Sequence, residues 1–202
     1  MKVKTGSKGV PERLLQAEKE KDWGLISDML YNASEKDAKL LVPIIPKLII
    51  HYKWLVRASA VEFVGDFNLT QFVDLVKKRL EDRNTNVRIY ALMAYYDLLG
   101  AKSLPLINKF CRDKNIRIRV TALALHYVET YDKDSFEAVS KIVLRKNCYH
   151  LHRSAVLNIF DHYLDIPGYA ELLQLFRNII KAAPQWQGVT KDIKSKLAEW
   201  GS

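Results

Sequence analysis

Leu80-Glu81-Asp82-Arg83-Asn84-Thr85-Asn86-Val87-Arg88-Ile89-Tyr90-Ala91 is the stretch that decides the fold. It closes on an apolar residue, a base and, three positions later, a small residue, and that phrase returns along the chain. Val56-Arg57-x-x-Ala60, Val87-Arg88-x-x-Ala91 and Ile118-Arg119-x-x-Ala122 stand 31 residues apart, and Leu151-His152-x-x-Ala155 reads as a degenerate fourth copy 33 residues on. Self-similarity at such a period marks stacked helical hairpins, because one hairpin alone cannot bury its apolar face. The small residues at 60, 91, 122 and 155 let neighbouring helices approach closely. The expected fold is an all-α solenoid.

Working outward, apolar residues at i, i+3, i+4 and i+7, such as Val87, Ala91, Ala94, Tyr95 and Leu98, mark each helix. The spacing predicts a helix over 55–67 and helix pairs over 71–80 with 86–99, 104–111 with 116–130, and 135–144 with 149–164. Upstream, Pro11 suits a first helical turn, and Gly24 is expected to divide 12–30 into two short helices. Ser34-x-x-Asp37 resembles a capping box opening a helix that runs to about Tyr52 and bends at Pro43 and Pro46. Downstream, 169–183 is one helix stopped by Pro184, and 190–200 is another that ends on Trp200. Residues 1–10 are expected to form a flexible arm. Residues 11–202 form a single repeat domain, with the clearest repeats at 38–165 and capping helices at 168–200.

Composition supports a helical core: 49% of residues are hydrophobic, and Gly and Pro number only 8 and 6. The net charge of +9 favours an anionic partner. Cys111 and Cys148 are expected as buried free thiols in a reducing compartment. The N-terminal residues lack the apolar stretch of a secretory signal, and no apolar run approaches membrane-spanning length. A cytoplasmic protein without membrane contact is expected.

The segment from Leu80 to Ala91 resembles a HEAT repeat, in which an Asp of the turn precedes an Arg of the second helix by six residues. Asp82 and Arg88 match, as do Asp113 and Arg119, whereas the first copy has His51 before Arg57 and the fourth has Lys146 before His152. The resemblance covers about residues 38–165. It implies a right-handed solenoid of about five to six hairpins, with a concave face lined by the second helices. The Arg–Asp pairs are then a structural ladder. The family implies no single function, since its members include scaffolds, adaptors, lyases, immunity proteins and DNA glycosylases.

In that register the concave positions are Ala58, Glu62, Asp66; Ile89, Met93, Asp97; Val120, Ala124, Val128; and Arg153, Leu157, Asp161, flanked by Tyr96 and Tyr127. An apolar centre with a charged rim suits a protein partner, unless curvature buries those side chains between repeats. Turns within hairpins gather Lys78, Arg83, Arg112, Lys114, Arg117, Arg145 and Lys146 on a basic edge. Turns between hairpins gather Asp66, Asp97, Glu129, Asp132, Asp134, Asp161 and Asp165. The basic edge is either a surface for phosphates or acidic protein, or a solvated face.

No phosphate loop, nucleophile elbow or zinc helix is present in the sequence. Cys148-x-His150-x-His152 could hold a metal only in an extended turn, because residues two apart on a helix diverge. His126 and His162 read as ordinary helix-face residues. Trp23, Trp54, Trp186 and Trp200 fall mostly outside the second helices, and Asp97 beside Tyr96 is the one faint feature of a glycosylase. The expectation is a non-catalytic protein-binding module without cofactor or metal. Its partner would be a toxin or enzyme domain that it neutralises as a small inhibitor or immunity protein. Nucleic-acid binding through the basic edge is the alternative, and a DNA glycosylase ranks last.

Overall fold

The computed structural model describes residues 9–164, 166–182 and 187–200. Among these, helix dominates and no strand occurs. The chain divides into two compact units, Met1–Gly100 and Ala101–Ser202. Most of the expected arm, together with Asp165, Pro184 and Trp186, lies outside the described residues.

The first unit holds α1 (Val10–Glu20), α2 (Trp23–Tyr31), α3 (Glu35–Leu41), α4 (Ile45–Ile49), α5 (Trp54–Asp66), α6 (Val73–Arg79) and α7 (Thr85–Leu99). The break between α1 and α2 falls earlier than Gly24. Lys21 takes a left-handed conformation with φ 58°, and the Asp22 carboxylate caps α2 by accepting from Leu25 N–H at 2.9 Å. A capping carboxylate with a left-handed residue before it stops a helix more firmly than a glycine in its first turn. The capping box at Ser34 and Asp37 is present in both directions. The single bent helix expected over 34–52 is two helices. Pro43 sits in the turn between α3 and α4, and Pro46 in the first turn of α4, where its missing N–H has no partner to lose.

Helix α5 is the core of this unit. It packs against α2, α4 and α7, and Val56, Ala60, Val61, Phe63 and Val64 are buried. Helices α5 and α7 pack so closely that a methyl group on Gly65 would lie 3.0 Å from Ala94 Cα and 2.8 Å from an Asp97 carboxylate oxygen. Ala60 and Ala91, the small residues of the repeated phrase, are both fully buried.

The second unit holds α8 (Leu104–Phe110), α9 (Ile116–Thr130), α10 (Lys133–Val143), α11 (His150–Tyr163), α12 (Ala170–Ala182) and α13 (Gln187–Trp200). Helix α9 is its centre, touching α8, α10 and α11. Helix α13 packs on α11 and α12, with Ile193 buried and the Trp200 ring 5.6 Å from that of Phe176. No helix among the described residues is long and apolar enough to cross a membrane.

Candidate functional site

The turns inside the hairpins share one hydrogen-bonding pattern. Asp82 accepts from Asn84 N–H at 2.9 Å, and Asp113 accepts from Asn115 N–H at 2.7 Å. Each Asn then caps its helix, Asn84 through Asn86 N–H and Asn115 through Arg117 and Ile118 N–H. In the first copy His51 takes the place of Asp, and its Nδ1 accepts from Lys53 N–H at 3.1 Å. Accepting at Nδ1 needs the neutral ring, and burial holds the His51 pKa below its ordinary value.

Two of the repeated arginines close these turns, whereas Arg88 donates to Thr85 Oγ1 at 3.5 Å. Arg57 donates to the carbonyls of His51 and Tyr52 at 2.7 and 3.0 Å, and Arg119 to the carbonyl of Asp113 at 2.8 Å. Arg57 also forks onto both oxygens of Asp82 at 2.8 Å, tying one hairpin turn to the next. Burial pushes the Asp82 carboxyl up, but the Arg57 fork, the Asn84 amide and the Arg57 and Arg79 charges together hold it below its ordinary value.

Arg153 corrects the fourth copy. The sequence register expects Arg153 on a concave face and His152 in the arginine's position. Arg153 is 0% exposed and donates to the carbonyls of Val143, Arg145 and Cys148 at 2.8, 2.8 and 3.1 Å. It therefore holds the turn and is not available to a partner. The phrase is His152-Arg153-x-x-Val156, one residue later than expected, with Val156 fully buried and Leu151 exposed. The turn before α11 has no side-chain cap on its helix N–H groups, and its carbonyls are gathered by Arg153.

The concave positions then separate. In the first unit Asp66 and Asp97 are exposed, and Glu62, Ile89 and Met93 are half-buried, while Tyr96 is buried. The Glu62 carboxyl is pushed up to about 7 by burial and by the charge of Asp66. In the second unit Ala124, Tyr127, Val128 and Leu157 are buried, so they cannot form the apolar contact row expected there. The Tyr127 hydroxyl donates to Glu171, and Asp161 pairs with Lys196 of α13 at 2.9 Å. Shifting the register by one makes Ser154, Asn158 and His162 the outward positions of α11, and all three reach the surface. Of the basic edge, Lys78, Arg83, Arg112, Lys114, Arg145 and Lys146 are exposed and Arg117 is half-buried.

One cluster has the side chains of a hydrolytic relay without its proton order. Ser135 Oγ donates to Asp132 at 2.7 Å and stands 2.8 Å from His126 Nδ1. A nucleophile would have to give its proton to histidine; this buried hydroxyl gives it to the carboxylate that caps α10. Cys111 lines the same cavity of about 480 Å³, and burial pushes its thiol up to about 11. Cys148 is likewise raised by burial, with Sγ 3.7 Å from His152 Nδ1. The His150 side chain lies outside the described set, and no metal-holding group of three occurs among the described residues.

Compared with models of known families, with curated proteins and with solved structures, the chain matches none.

Proposed function

We propose that the chain is a non-catalytic protein-binding module built as a right-handed HEAT-like solenoid. In this reading it is a small inhibitor or immunity protein that neutralises a toxin or enzyme domain in the cytoplasm. The repeated turn chemistry, with its arginine ladder, supports the class. The binding surface is the α5–α7 face of the first unit, where Ile89 and Met93 lie half-buried among Glu62, Asp66 and Asp97.

The observation that carries this surface is the clustering of three acids around a half-buried apolar pair. Asp66 and Asp97 lie in the last turns of α5 and α7, where the helix dipole disfavours negative charge, and Glu62 is driven toward protonation. A cationic partner surface would be electrostatically complementary to all three. The test is capture of partner from native lysate by the wild-type protein and by an Asp66→Lys/Asp97→Lys variant, both treated with nuclease. A stoichiometric protein lost on charge reversal supports the reading; equal capture by the variant removes the surface from consideration.

A second reading is nucleic-acid binding, favoured by the exposure of Lys78, Arg83, Arg112, Lys114, Arg145 and Lys146. Its affinity would fall steeply with salt as counterions are released. Base excision would require this binding first and ranks below both.

A further inference from the structure

We propose that the turn entering α5 is a preformed stacking platform for single-stranded nucleic acid. The inference rests on the second reading and names its site. Ile50, Tyr52 and Trp54 are 63%, 58% and 42% exposed on five consecutive residues, a density of bare apolar surface that a solvated turn does not need.

The Tyr52 ring is held in place. Trp23 of α2 meets His51 at 5.1 Å and Tyr52 edge-on at 5.4 Å between centroids, and His51 meets Tyr52 at 4.5 Å. The Lys53 ammonium stands 5.9 Å from the Trp23 ring and 5.4 Å from the Tyr52 ring. Arg57 fastens the carbonyls of His51 and Tyr52 from below while gripping Asp82 of the next turn. That bridge sets the aromatic turn beside the turn carrying exposed Arg83, which follows exposed Lys78 in the last turn of α6. Asp82 is neutralised within the bridge, and the nearby Glu18 is paired with Lys47 at 3.0 Å.

Fixed π-faces beside cations select the occupant. A single strand offers both flat base faces and phosphates, and stacking on aromatic side chains is sequence-tolerant. A duplex keeps its base faces covered, so it could use only the charges.

The test is fluorescence anisotropy of the full chain with a labelled oligothymidine of about 20 nucleotides and with a duplex of equal length, at about 50 and 200 mM salt. The expected result is single-strand preference with quenching of tryptophan emission. Trp54→Ala and Tyr52→Ala should each weaken oligothymidine binding roughly ten-fold. Trp54→Phe should keep most of the affinity, and Tyr31→Ala, at an exposed ring on the far end of α2, should keep all of it. Thermal melting of each variant by circular dichroism shows that the fold survives. Salt-dependent binding with no strand preference and no response to ring removal would overturn the platform and leave the charge-only reading standing. Absence of binding to either probe at low salt would overturn both. Ring-dependent binding to phosphatidylserine vesicles without oligothymidine binding would reassign the turn to a lipid surface.

Discussion

The two units repeat one sequence phrase and finish it differently. In the first, Arg57 reaches a carboxylate on the next hairpin turn, and the row above it stays partly open with three acids around it. In the second, the last arginine reaches only carbonyls, and the row is closed: Ala124, Val128 and Leu157 are buried, and Asp161 is paired by a later helix. The phrase therefore encodes packing. Whether a row can bind anything depends on what the following segments lay over it.

Arg153→Met should break the second unit hardest. It removes the buried donor to three carbonyls of the 143–148 turn. The expected loss is about 3–5 kcal/mol in urea unfolding. Lysine at this position should recover little, because an ammonium cannot span the fork of acceptors. A loss below about 1 kcal/mol would mean that the buried arginine merely fills space, and the comparison between the two ladders would fail.

The first unit should respond to Arg57→Met by about 2–4 kcal/mol, since the change leaves the buried Asp82 carboxylate with only the Asn84 amide and the longer Arg79 contact at 3.4 Å. Asp82→Asn should cost less, because Arg57 keeps its two turn carbonyls. In the double variant the losses should fall short of additive. Additive losses would show that the fork does not couple the two turns and would remove the reason for placing the aromatic turn beside the basic one.

Much of this was legible in the sequence. The period placed α5, α7 and α9 because their buried positions recur at fixed offsets from the arginine. Two upstream boundaries differ from expectation: the Asp22 cap, ahead of Gly24, ends the first stretch, and prolines 43 and 46 break a helix expected only to bend. The fourth copy misled because Leu151-His152-x-x-Ala155 imitates the phrase, although the neighbouring Arg153 is the base that the turn needs. Asp82-x-Asn84 and Asp113-x-Asn115 were a readable signal of the turn and its cap, spelled alike one period apart. The closed row was not legible, because its burial depends on later helices whose packing carries no repeat. Nor was the ring cluster, which joins Trp23 to a turn far along the chain.

The smallest expected effect is the most discriminating for function. The folded-state pKa of Glu62 is raised from 4.5 to about 7, so the folded protein favours the protonated acid. A raised pKa contributes stability that is fully present below the unfolded value and is lost as pH rises through the folded one. Glu62→Gln removes that dependence. The variant should match the wild type near pH 4 and exceed it near pH 8 by about 1–2 kcal/mol, below the shift's ceiling of about 3 because the carboxyl is only partly buried. If the open row engages a cationic partner, the same substitution should weaken the complex near pH 8 and leave it unchanged near pH 6, where the wild-type acid is itself largely protonated. Stability and binding would then move in opposite directions in one variant. A Gln variant that gained stability and lost no affinity at any pH would show that Glu62 makes no contribution to the binding surface.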